Sequence, residues 1–209
     1  MKPDEWADAW QHPLIHGQRD EKRLPSTARE FLVSFGLPRV VIFEWRSPFE
    51  ISFSPLQKEL VAYNTVFSWG DFYNEVLDRD WSHELVVGEE EICNGHAAFC
   101  VHEDGGAVSR LDCELLRDPQ CFVNSSIELF GISLLLAQKW SRVVHSGRAS
   151  PSVDSFDRLA NELKRADPRA FEDQKSFWPS LIETVLENPD DDPLELEITS
   201  DPARSTPRF

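Results

Sequence analysis

The chain has 209 residues, with 21 Lys and Arg against 37 Asp and Glu, which leaves a formal net charge of −16 and an isoelectric point of 4.7. That length suits one domain, and 41% hydrophobic residues, with seven Trp and 14 Phe, exclude a wholly disordered chain. The acidity argues against a general nucleic-acid binder and against an anionic membrane surface, since both are gripped by clustered Lys and Arg; it favours fast encounter with a basic partner.

At the start of the chain, Asp4, Glu5 and Asp8 stand where a secretion signal would carry its apolar core. No later run approaches the roughly 20 apolar residues that span a bilayer. The expectation is a cytoplasmic protein in which Cys93, Cys100, Cys113 and Cys121 stay reduced. Trp6 and Trp10 are four apart, which suits one face of a short helix. Leu24 to Leu32 opens a second helix, with Ser26 or Thr27 as cap and Glu30 three residues after Thr27. Gly36 ends that helix and Pro38 bars its continuation.

Residues 39–46 and 50–54 read as strands. Between Asn64 and Trp81 the pattern is mixed, aromatic and acidic, without a clean period. Glu84–Gly88 and Ala97–His102 read as strands, and Ala107–Leu111 returns after Glu103-Asp104-Gly105-Gly106, a turn of the Asp-Gly kind that joins hairpins. The run from Phe122 to Ser126 is expected to open a long helix capped by Asn124 or Ser125, with Ile127, Phe130, Leu134, Ala137 and Val144 along one face. Breakers at 147–152 precede a helix over 154–166 with Phe156, Leu159 and Leu163 on its apolar face. A last helix covers 178–186, with Pro179 in its first turn. Residues 188–209, with Asp190-Asp191-Asp192 and several prolines, read as a tail.

No catalytic, cofactor or metal site emerges from these residues. Cys93, His96, Cys100 and His102 are zinc-ligand types, but two of them sit one residue apart on a strand, an awkward pair for one ion. Ser125 and Ser126 are about five turns from His145 on the same helix, too far for a nucleophile and its base. The one Gly-Gly pair lies in an acidic turn with no following helix or Lys to cradle phosphate. The more informative pattern is aromatic. Trp45, Trp69, Phe72, Tyr73 and Trp81 alternate with Glu44, Asp71, Glu75, Asp78 and Asp80. Trp and Tyr are common interface anchors, and acidic neighbours suit a basic partner. Glu44, Trp69, Asp71, Tyr73, Glu75 and Asp78 are therefore the expected partner-binding residues. Core packing is the ordinary alternative for such rings.

The order of these signals resembles the SUKH superfamily. Leu24-Pro25 followed by Phe31-Leu32 and Gly36-Leu37-Pro38 is similar to its opening helix and stop. Residues 92–108, with the Asp-Gly-Gly turn, are similar to its central hairpin. Phe122-Val123-Asn124-Ser125-Ser126-Ile127, followed by Phe130, closely resembles a helix start of its fourth subfamily. The likeness spans about residues 24–142. It implies an α+β domain, a mixed and mainly antiparallel sheet flanked by helices, over 24–187, with 1–23 as an extension and 188–209 as an acidic tail. It further implies a non-catalytic immunity protein that neutralises a toxin of nuclease or deaminase type, or, as in the eukaryotic branch tied to cell-wall assembly and signalling, a regulatory or scaffold protein. Gly36, Pro38, Gly105, Asn124, Ser125 and Phe130 carry the resemblance and all have structural explanations. A cleft holding a strongly perturbed acid or base would favour an enzyme instead.

Overall fold

The structure, a computed structural model, describes residues 2–10, 12–19, 21–43, 49–57, 59–66, 81–90, 97–112, 119–145 and 153–187. Helix α1 (Pro3–Ala9) presents Trp6, which is fully buried, and its indole Nε1 donates to the Gly36 carbonyl at 3.2 Å. Trp10 meets Trp6 edge to face, with ring centroids 5.4 Å apart. The segment set apart by sequence as an extension thus contributes two rings to the main core. Strand β1 (Leu14–Ile15) pairs antiparallel with β2 (Leu37–Pro38).

Between those strands runs α2 (Ser26–Ser34), which buries Ala28, Phe31 and Leu32. The expected Ser26 or Thr27 cap does not form: Pro25 occupies the cap position, and no side chain bonds the first-turn amides. Proline reaches that place readily because its fixed φ suits entry to a helix. Gly36 terminates α2 with φ +71°, a left-handed conformation that a side chain disfavours. An added Cβ there would stand 2.6 Å from the Ile15 carbonyl oxygen, so the turn also brings β1 against the helix end.

Branched and aromatic residues then build an antiparallel sheet of six strands in the spatial order of the sequence: β3 (Val40–Phe43), β4 (Phe49–Ser52), β5 (Glu84–Glu90), β6 (Ala97–His102), β7 (Val108–Asp112) and β8 (Gln120–Asn124). A 3-10 turn (Ser54–Gln57) and a one-turn helix α3 (Tyr63–Val66) lie between β4 and β5. The expected hairpin of β6 and β7 is present, with a five-residue connection, 103–107. Gly106 N–H donates to His102 O at 2.8 Å, and the left-handed residue is Gly106, with φ +69°, not Gly105.

Residues 122–124 depart from expectation. They extend β8, and the long helix α4 begins only at Ile127 and runs to His145. Its cap is Ser126, whose Oγ accepts from Leu129 N–H at 3.2 Å, rather than Asn124 or Ser125. Helix α5 (Val153–Ala166), a 3-10 turn (Pro168–Phe171) and helix α6 (Phe177–Glu187) complete the described chain.

One face of the sheet carries the main core, where Val41, Phe43, Ile51, Leu85, Phe99 and Val101 meet Phe130 and Leu134 of α4, Phe156 and Leu159 of α5, and Phe177 of α6. Phe130 stacks on Phe99 at 5.2 Å. The other face carries a smaller cluster of Tyr63, Trp81, Val86, Ala98, Cys100 and Leu111. Trp81, read from sequence among the interface rings, is buried here. Strand alternation divides the two sets because successive side chains point to opposite faces.

Candidate functional site: a cleft along the sheet edge

The Asn-Ser-Ser segment does its work through distant partners. Asn124 is fully buried; its Nδ2 donates to Ser133 Oγ at 3.1 Å and to Asp167 Oδ2 at 3.0 Å, and its Oδ1 accepts from Trp178 Nε1 at 3.0 Å. Asp167, 1% exposed, also accepts from Ser125 N–H at 2.7 Å and Ser125 Oγ at 2.8 Å. These bonds tie the β8–α4 junction to the end of α5 and to α6. The donors and acceptors named satisfy one another within the protein, so the network holds the fold together.

Beside this junction a cleft of about 890 Å³ follows the edge strand β8. Its lining takes in residues from both faces of the sheet together with α6 and the turn before it. On the helix-packed face, Glu90 pairs with Arg110, which also reaches Asp112 at 3.1 Å. Burial pushes the Glu90 carboxyl above its ordinary range, and the hydrogen bond and charge of Arg110 work against that rise. The same two carboxylates hold the Arg110 guanidinium charged despite its burial.

On the opposite face, register places Glu84 of β5, His102 of β6, Ser109 of β7 and Gln120 of β8 together. Glu84 is 5% exposed. Its Oε2 accepts from Ser109 Oγ and its Oε1 from Gln120 Nε2, both at 3.1 Å. Burial raises its pKa; the Ser109 and Gln120 bonds and the nearby His102 and His83 lower it only in part. No Lys or Arg among the described residues pairs with it.

Ser109 Oγ–H donates a hydrogen bond to Glu84, and the His102 ring accepts one from the Asp104 N–H at 3.3 Å. Neither contact is the hydroxyl–imidazole bond that activates a nucleophile. Of the zinc-ligand types, Cys100 is sealed in the smaller cluster, where burial and the neighbouring Glu84 push its thiol well above the ordinary range. Cys93 and His96 lie outside the described residues, and among the described residues no cluster of metal-ligand types forms.

The expected partner-binding residues Glu44, Trp69, Asp71, Tyr73, Glu75 and Asp78 all lie outside the described residues. Gly36, Pro38, Gly105, Asn124, Ser125 and Phe130 are not gathered in the cleft; they stand at the helix stop, β2, the hairpin loop, the buried network and the core. Sequence reasoning did not single out Glu84, Ser109 or Gln120. The one signal for Glu84 was a carboxylate opening a strand whose following residues are apolar.

An antiparallel sheet packed on helices, with a polar cleft at its edge, defines an α+β domain. The SUKH-4 immunity protein family model matches residues 17–184, and the chain belongs to that family. Membership supports an immunity role, exercised by binding a toxin protein. No curated protein and no solved structure matches the chain significantly. No helix among the described residues is long and apolar enough to cross a membrane.

Proposed function

We propose that this chain is a non-catalytic, cytoplasmic immunity protein that covers the basic, nucleic-acid-gripping surface of a nuclease or deaminase toxin. The family match over residues 17–184 carries the immunity reading. The net charge of −16 supports a basic partner, because a toxin that binds nucleic acid presents Lys and Arg where its substrate lies. Residues 44–81 are the proposed contact stretch, with Glu44, Asp71, Glu75 and Asp78 steering encounter and Trp69 and Tyr73 anchoring the complex. Tyr63 and Trp81 pack on the sheet face that also carries Glu84.

The test is binding to the toxin domain encoded beside the gene, followed by surface plasmon resonance. Association slows steeply between about 50 mM and 500 mM salt if charge steers the encounter. Neutralising Asp71, Glu75 and Asp78 together lowers the association rate, whereas Trp69→Ala raises the dissociation rate. An association rate indifferent to salt contradicts the acidic-surface reading.

A further inference from the structure

We propose that Glu84 is the receptor for an arginine side chain of the toxin partner, inserted into the cleft beside β8. This rests on the reading of the partner as a basic toxin and names where one of its charges goes. The cleft contains two similarly buried carboxylates, Glu84 and Glu90, at 5% and 7% exposure. The fold supplies Glu90 with Arg110. It supplies Glu84 with two neutral donors, Ser109 and Gln120, one on each oxygen. A glutamine could hold those two partners without the cost of burying a charge. An ionised carboxylate has about four acceptor positions, so each Glu84 oxygen still has room for a donor.

Arginine fits better than lysine. Its planar fork can meet both carboxylate oxygens at once, and it is less strongly hydrated than an ammonium group. The cleft is also lined by a flat ring, Phe122, which already carries the Arg169 guanidinium 5.4 Å from its centroid. Glu172 and Asp173, both exposed, line the same cleft and set their negative charge against that of Arg169 and Lys175. The charge balance of the chain as a whole points to an incoming cation.

The test uses the full chain and a capped Gly-Arg-Gly peptide, with the isosteric Gly-citrulline-Gly peptide as neutral control. Binding is read from the Gln120 side-chain amide resonance at low salt. The arginine peptide should shift that resonance saturably, the citrulline peptide should not, and Glu84→Gln should weaken the effect about tenfold or more. Glu172→Gln should change it about twofold or less. Glu84→Gln keeps size and hydrogen-bonding capacity, and its thermal midpoint confirms folding. No saturable shift in the wild type, equal shifts with citrulline, or an unchanged affinity in Glu84→Gln overturns the proposal. A second arm measures the neighbouring toxin domain. If the toxin binds Glu84→Gln as tightly as wild type, the arginine receptor fails and the immunity reading stands. If the peptide binds through Glu84 and the toxin does not bind at all, the receptor stands and the toxin reading fails.

Discussion

Replacing Asn124 by alanine should be among the most damaging single changes to this fold. The side chain makes three buried hydrogen bonds, to Ser133, Asp167 and Trp178, at 3.0–3.1 Å. Each is worth about 1 kcal/mol net, and leaving the buried Trp178 indole N–H without a partner adds about 1–3 kcal/mol. The total is about 4–6 kcal/mol, a large part of the roughly 5–15 kcal/mol that holds a domain together. Removing the actual helix cap, by Ser126→Ala, should cost only about 1 kcal/mol. Urea unfolding followed by circular dichroism and by tryptophan fluorescence measures both, provided the two probes coincide. An Asn124→Ala cost below about 1 kcal/mol, or one smaller than that of Ser126→Ala, would refute the claim that this residue joins three elements. A double-mutant cycle with Asp167→Ala should show a coupling of about 0.5–3 kcal/mol.

Other outcomes follow from single sites. Gly36→Ala should destabilise by at least about 1–2 kcal/mol in urea unfolding, since it combines a left-handed φ with a Cβ 2.6 Å from Ile15 O. Gly105→Ala, whose Cβ would meet nothing within 4 Å, should be close to neutral, whereas Gly106→Ala should cost about 1 kcal/mol. Arg110→Ala leaves Glu90 buried and unpaired and should cost about 3–5 kcal/mol; Arg110→Met together with Glu90→Leu should recover most of that loss. For Glu84 the folded pKa is raised, so its favourable contribution is complete below the ordinary carboxyl range and is lost as pH rises through the folded value. The thermal midpoint of Glu84→Gln should therefore gain on that of the wild type as pH rises above about 4. A difference that stays constant with pH would remove the burial argument.

The strands and apolar helix faces were legible because their cues are local. The short strand-like runs at residues 84–88 and 97–102 and the spacing of Phe156, Leu159 and Leu163 need nothing beyond neighbouring residues, and the structure places all of them as expected. Asn-Ser-Ser misled for the same reason. Read locally it is a capping sequence, but Asn124 answers to Asp167 and Trp178, 43 and 54 residues away. Nothing near position 124 announces those partners, and the short strand β8 was lost in the same reading. Glu84 was hidden similarly. Alternation places it on one sheet face, but its burial depends on Ser109 and Gln120, 25 and 36 residues on. Trp81 went the other way, from expected interface ring to core, because Tyr63, 6.4 Å off, and Val86 enclose it.

The account stands or falls on protection. The toxin domain encoded beside the gene is expressed from an inducible promoter in a bacterial host, with and without the full chain, and viable cells are counted. The account predicts that the chain restores growth and that purified chain, at equimolar ratio, abolishes the toxin's nuclease or deaminase activity. Undiminished killing and undiminished activity in the presence of excess folded chain would contradict it.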